Sequence, residues 1–228
     1  MGVAMTPMPT TESIEYSNCL RAVDWFVADA PLKSVQEMVR QYHYSQGGSN
    51  TAVYAHGLYR KTDRVLVGAA WWLPPTRVAC ESVNRAEWQK VLSLTRLVVL
   101  PDVPRNACSF LVSRSVRMIW KKDRFWSLVS YADESQGHEG RVYRARNFYY
   151  IGRTGPYTKF VDANGRQVAA KATKNRRRAE MEALGYRKAG SFYKHKYVLH
   201  SPKHEYPVEF KEWLEKQKMK RLLAEVLS

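Results

Sequence analysis

The chain has 228 residues, 45% of them hydrophobic and 12% aromatic, enough apolar material for one large core or two small ones. Lys and Arg number 37 against 21 Asp and Glu, a net charge of +16, which points to a polyanionic partner and first to nucleic acid, because every phosphate neutralised releases counterions. Three scattered cysteines, Cys19, Cys80 and Cys108, argue against a disulfide framework or a thiolate zinc site and fit reduced thiols; with no bilayer-length apolar run and no secretory pattern, a soluble, unsecreted protein is expected.

Residues 1–13, rich in Met, Pro and Thr, read as a flexible arm. The spacing of Val35, Met38, Val39 and Tyr42 predicts a helix over residues 35–44 with Ser34 as its N-cap. Residues 52–60 and 65–73 read as an antiparallel hairpin around Lys61-Thr62-Asp63-Arg64, ended by Pro74-Pro75. A short helix is expected over residues 81–90, then a central strand over 94–100 and a loop over 101–106. From Ala107 a helix sets Val112, Val116, Ile119 and Trp120 on an apolar side and Arg114, Arg117 and Lys121 on a cationic one. Residues 125–132 predict a strand, 139–146 a short helix and 147–152 another strand. Between residues 171 and 196, nine Lys and Arg stand against Glu180 and Glu182, the main basic segment. Residues 192–199 then read as a strand and 209–227 as a basic amphipathic helix. Helices alternating with strands predict an α/β or α+β fold.

Within this order lie Tyr42-His43-Tyr44-Ser45, the run from Leu97 to Pro101 and on to Arg114, the polar stretch 130–154, Tyr143-Arg144-Ala145-Arg146-Asn147-Phe148, and Lys194-His195-Lys196-Tyr197. In these motifs the chain resembles the GNAT N-acetyltransferases and, within that fold, the phage Mom proteins that modify adenine in DNA. The resemblance covers roughly residues 35–200. It implies a mixed, mostly antiparallel central sheet flanked by helices, with the arm at 1–13, a catalytic domain at 14–200 and a helical tail at 201–228. It also implies conversion of the adenine N6 amine to a carbamoylmethyl (acetamido) amine in duplex DNA, protection of phage DNA from restriction in the host cytoplasm, and no membrane partner; a homodimer stays open.

The resemblance assigns roles residue by residue. Asp133 is a candidate base for the N6 proton or a metal ligand, although from the residues alone a turn carboxylate bonding the backbone of Ser135 or Gln136 is the favoured reading. Tyr143 falls where acetyltransferases place a tyrosine that protonates the leaving thiolate; its other reading is a core aromatic. His43 and Tyr44 enter as site residues, His43 also suiting the end of a helix dipole. His43, Asp133 and Tyr143 together form an N/O donor set suited to iron. Arg96 is an isolated charge on an apolar strand, and Ser109 sits in the first turn of a helix as cap or catalytic residue. Val98, Val99, Arg105, Asn106, Ser109 and Asn147 are cofactor candidates for acetyl-CoA or a related donor, although residues 101–113 contain no glycine for a pyrophosphate cradle. Arg114, Arg117, Lys121, Lys122 and Arg124, with Lys171, Lys174, Arg176, Arg177 and Arg178, are the expected phosphate contacts. Reaching N6 requires an extruded base, with Tyr44, Trp71, Trp72, Phe148 and Tyr149 as stacking candidates. The competing readings are a coenzyme A-dependent acetyltransferase acting on RNA, protein or a small amine, and a non-catalytic nucleic-acid-binding module.

Overall fold

In the computed structural model, which describes residues 19–168 and 176–227, the apolar runs become strands β1 (Trp25–Asp29), β2 (Tyr54–Arg60), β3 (Leu66–Leu73), β4 (Val91–Val99), β5 (Ser127–Asp133), β6 (Tyr149–Arg153), β7 (Tyr157–Val161), β8 (Arg187–Phe192) and β9 (Lys194–His200). The arm expected at 1–13, with Lys171 and Lys174, lies outside the described residues. Seven strands form one sheet in the order β1-β2-β3-β4-β5-β9-β6, while β7 and β8 pair only with each other. Every neighbouring pair in the large sheet is antiparallel except β4 with β5. The expected mixed, mostly antiparallel sheet is therefore observed.

Helices α1 (Leu32–Tyr42), α2 (Arg77–Glu81), α3 (Ala107–Lys121), α4 (Arg141–Arg144), α5 (Arg178–Ala183) and α6 (Val208–Leu227) complete the fold. Because strand side chains alternate between faces, β3 feeds two cores at once. Ala70 and Trp72 join Leu111, Val112, Val116 and Ile119 of α3, whereas Ala69 and Trp71 join Val35, Met38 and Val39 of α1. A third cluster sets Val91, Val129 and Val198 against Cys80, Val83 and Phe210, which docks the first turn of α6.

Local chemistry changed two of the expected helices. Helix α1 starts at Leu32 behind Pro31, whose fixed φ suits a helix entry, so Ser34 lies in the first turn and caps nothing. The helix expected over 81–90 is instead the end of α2 and a single 3₁₀ turn, Trp88–Lys90. Between them Asn84 accepts a hydrogen bond from the Glu87 amide at 3.0 Å, a side-chain turn that competes with helix continuation. Strands β1, β7 and β8 were not anticipated.

One buried polar chain ties the sheet to α3. Ser115 Oγ accepts from Trp72 Nε1 at 2.7 Å and lies 2.6 Å from His56 Nδ1. With its one proton given to His56 Nδ1, the serine leaves the ring proton on Nε2, which faces Asp29 Oδ1 at 3.4 Å. Burial pushes His56 down to about 4, so the ring is neutral in the fold. Replacing Ser115 with Ala strands two buried partners at once and is expected to cost about 2–4 kcal/mol in urea unfolding. The histidine adds a pH signature. An unfolded histidine binds its proton near 6.5 and His56 only near 4, so unfolding free energy should fall as pH drops through that window and be fully retained above it, as read by denaturant titration at each pH.

Candidate functional site

The site begins where two neighbouring strands stop pairing. β4 and β5 run in parallel register only from Val91–Leu94 against Ser127–Ser130, ending with a weak 3.4 Å bond from Ser130 Oγ to the Leu94 carbonyl. Beyond it β4 stays on β3, bent by an irregularity at Trp71/Trp72, and β5 stays on β9 as far as Asp133. The gap holds a cavity of about 560 Å³ lined by Leu94, Thr95 and Leu97 of β4, Tyr131 and Ala132 of β5, Cys108 of α3, His43 and Tyr44, and residues 137–143. Past Leu94, the β5-facing edge of β4 has no strand partner among the described residues.

His43 and Tyr44 reach the cavity because the loop after α1 is fastened to the sheet. Arg96 Nε donates to the Gly47 carbonyl at 2.8 Å and Arg96 Nη1 to the Thr95 carbonyl at 2.7 Å. Gly48 lies so close to the Trp71 ring that a Cβ would sit 2.6 Å from it. The Ser45 amide donates to His43 Nδ1 at 3.2 Å, which makes Nδ1 the acceptor and leaves Nε2–H as the free donor. Burial, then Arg96 and His138, lower His43 to about 4, so it is neutral and cannot act as a charged helix cap. The Tyr44 ring packs 4.3 Å from His43 and edge-on to His138 at 5.8 Å, and its phenol is pushed up by burial and Asp133.

The opposite wall, residues 137–143, is held by a tyrosine behind it. Tyr197 is fully buried, donates to the Glu139 carbonyl at 2.6 Å and accepts from Arg144 Nε and Nη2 at 3.3 Å. Gly140 has φ +70° and rests on that ring, where a Cβ would meet its atoms at 2.3–2.6 Å. Tyr143 follows, its ring 5.4 Å from Tyr197 and its phenol raised to about 12 by burial despite a bond to Ser130. It remains a neutral donor.

Asp133 is almost fully buried at the end of β5, beside the lining rather than in it. Oδ1 accepts from the Ser135 amide at 3.0 Å and from the Tyr157 hydroxyl at 2.5 Å, while Oδ2 has no hydrogen-bond donor among the described residues. The turn-carboxylate reading thus describes one of its oxygens. The iron set expected from His43, Asp133 and Tyr143 does not fit. His43 presents a proton, Tyr143 holds its phenol proton to about 12, and Asp133 Oδ1 is taken; among the described residues no cluster of three or more His, Cys, Asp or Glu could hold a metal.

Other expected site residues are placed as follows. Ser109 gives its proton to the Asn106 carbonyl and accepts from Arg146, while Asn106 holds the Leu20 amide at 2.6 Å. Arg105 is exposed, Val98 is buried under α1, and Val99 pairs with Gly68. Asn147, at φ +61°, makes the turn into β6. Of the stacking candidates only Tyr44 lines the cavity; Trp71, Trp72 and Phe148 are core and Tyr149 packs on Phe210 and Trp213. Arg114, Arg117 and Lys121 are exposed on the outer side of α3; Arg176, Arg177 and Arg178 are exposed at the start of α5, with Arg178 paired to Glu182 at 2.7 Å. Lys122 sits over the Tyr54 ring at 4.6 Å. Sequence reasoning missed Thr95, Cys108 and Tyr131 in the lining, and Tyr157 and Tyr197 behind it; Cys108, Tyr131 and Tyr197 stood inside recognised motifs but carried no assigned role.

Against known proteins, a sequence profile of the Mom protein family matches residues 24–222. The chain is similar to the methylcarbamoylase Mom of Escherichia phage Mu, 32% identical over 124 residues, which is 50% of this chain and 48% of that protein. The chain thus spans about half the length of the curated relative it matches. In chain path it is similar to an acetyltransferase of the GNAT family from Bacillus anthracis, with a TM-score of 0.46 and 9% identity over 78% of this chain and 95% of that one. A spermidine N-acetyltransferase from Vibrio cholerae gives a TM-score of 0.48 at 6% identity, covering 78% of this chain and 94% of that one.

Gly140→Ala combines a left-handed backbone with a clash against an immobile ring. It is expected to lower stability by about 2 kcal/mol or more and to raise amide exchange over residues 137–143, measured by thermal unfolding and hydrogen-exchange mass spectrometry.

Proposed function

The chain belongs to the Mom protein family, and from that premise we propose that it is a DNA-modifying transferase that converts the N6 amine of adenine in duplex DNA to a carbamoylmethyl amine and so shields phage DNA from restriction. The observation that carries this reading is the cavity at the parting of β4 and β5, whose volume of about 560 Å³ lies in the range of small-molecule sites and whose mouth carries Tyr44 between His43 and His138. Aromatic faces of this kind suit a base taken out of the stack. The net charge of +16 supports a polyanion as substrate.

Adenine N6 is a weak nucleophile because its lone pair is shared with the ring. A group must take its proton as the new C–N bond forms, and another must supply one to the departing group. Asp133 Oδ2, with no donor on it, is the proposed acceptor, and Tyr143, neutral up to about 12, the proposed donor. His43 offers Nε2–H to orient the base or the donor's carbonyl. A coenzyme A thioester is electrophilic at its carbonyl and by itself would give an N6-acetyl amide with release of the thiol; the carbamoylmethyl product has a CH2 bonded to N6 and a further nitrogen, so its donor must carry the amide and an activated methylene with a leaving group of its own. The unpaired edge of β4 fits an amide-bearing arm such as that of coenzyme A, and the N-terminus of α3, which has no side-chain cap, fits its phosphates. Asn106 and Ser109 are committed to other partners and would contribute little to that grip.

Plasmid from cells expressing the protein, digested to nucleosides, should show deoxyadenosine bearing a carbamoylmethyl group, identified by fragmentation because methylcarbamoyl is its isomer. Unmodified deoxyadenosine from folded protein would overturn the reading, and an acetyl group alone would replace it with acetyl transfer. In the active protein, Tyr143→Phe should lower kcat by about a hundredfold with little change in Tm. Binding to duplex DNA should weaken steeply between low and physiological salt, as read by fluorescence anisotropy.

A further inference from the structure

Strands β6 and β9 are antiparallel neighbours, with Arg153 facing His195, so a short turn would join them. Instead residues 154–193 are inserted, carrying β7, α5 and β8. This arm holds nine Lys and Arg against three Asp and Glu, and its strands belong to a separate sheet. Its base is keyed to one short segment beside the cavity. Tyr157 donates to Asp133 Oδ1 at 2.5 Å and accepts from Ser135 Oγ at 3.1 Å. At the other root Tyr193 N donates to Glu134 Oε2 at 2.9 Å, and the Glu134 amide donates to the Tyr193 carbonyl at 3.2 Å. The same segment runs into the cavity wall, with the His138 amide donating to the Asp133 carbonyl at 3.3 Å.

We propose that Tyr157 is a positioning residue. Contributed by the basic arm, it holds Asp133 by one oxygen so that the other keeps a fixed direction beside the cavity lining, and it makes the engagement of nucleic acid by the arm and the alignment of Asp133 a single mechanical unit. This rests on the reading of Asp133 as the proton acceptor of a DNA-modifying site.

The geometry has three parts. Oδ1 takes two donors, the Ser135 amide and the Tyr157 hydroxyl, which fixes the plane of the carboxylate and leaves Oδ2 free of protein donors among the described residues. The hydroxyl is oriented by the setting of its ring, which lies 6.3 Å from Phe192 across the β7–β8 ladder and under Lys194 Nζ at 5.2 Å. A pull on the arm by phosphates therefore reaches Asp133 through the backbone pairing of Tyr157 with Phe192 and the hydrogen bond from its hydroxyl. Burial and the bond to Asp133 raise the phenol to about 12, so it stays a donor throughout the neutral range.

Tyr157→Phe tests this, since it keeps the ring and removes only the hydroxyl. Steady-state modification of a duplex oligonucleotide should show kcat lowered by about tenfold or more, with KM for DNA and Tm close to wild type. Arg187→Ala with Lys188→Ala, which removes two exposed charges of the arm, should raise KM for DNA and lower kcat with it, because engagement of the arm and alignment of Asp133 are one unit. Wild-type kcat in Tyr157→Phe would overturn the proposal, as would a loss confined to KM or accompanied by an equal loss of Tm. Hydrogen exchange separates this from failure of the proposed reaction. If the wild-type protein modifies no DNA, the proposed function falls, and the coupling is then decided by whether Tyr157→Phe raises amide exchange over residues 134–143; unchanged exchange there overturns it.

Discussion

The organising constraint is the parting of β4 and β5. A parallel pair inside an otherwise antiparallel sheet shares only Val91–Leu94 with Ser127–Ser130, after which each strand follows its other neighbour. Backbone groups released at such a point need partners or solvent. Arg96 answers part of that need by bonding the Thr95 carbonyl, and with its second arm it bonds Gly47. The charge that looked out of place on an apolar strand therefore stands where the strand loses its neighbour, and it brings His43 and Tyr44 to the gap. Thr95 Oγ1 donates to the Trp71 carbonyl at 3.0 Å and anchors the bend. What remains unpaired on β4 faces the cavity.

The cavity keeps its shape because its walls rest on buried, rigid groups. Tyr197 fills the space behind residues 137–143, and only a residue without a Cβ fits against it at position 140. Tyr157 holds Asp133 from the other side. Both phenols donate to oxygen, one to a backbone carbonyl and one to a carboxylate, and both come from segments remote in sequence from the residues they steady. Their energetic value lies in geometry: each bond contributes on the order of 1 kcal/mol to stability yet sets the direction of a neighbouring polar group.

The positive charge is spread over the outer side of α3 and the 154–193 arm and is compensated only locally. Arg178 meets Glu182 and Arg141 meets Glu139, exposed pairs that contribute little to stability. Arg114, Arg117 and Lys121 make no ion pair with a described residue. A surface of this kind suits a partner that carries regularly spaced anions.

Much of the fold is legible in the residues themselves. Apolar patterning locates the β2–β3 hairpin, the central strand and α3, because those elements bury a face against a core and their apolar residues must recur at the spacing of that face; α6 is a helix where one was expected, but of its described residues only Phe210 is fully buried and Met219, Leu222 and Leu223 stay exposed, so it is not amphipathic along its length. β1, β7 and β8 escape that test since they lie at the sheet edge or outside it, where Trp25, Tyr157 and Arg187 stay partly or wholly exposed and no face is forced to be apolar. The sequence by itself determined the charge, the order of the elements other than β1, β7 and β8, and the identities of Tyr44, Tyr143 and Asp133 as polar groups near turns and the ends of elements. Only the tertiary structure decided which of them share the cavity and in what state. Convergence of residues 43, 95, 108, 131 and 143 depends on where two strands part, and a hydrogen bond such as that from Tyr157 to Asp133 depends on a packing that no local pattern encodes.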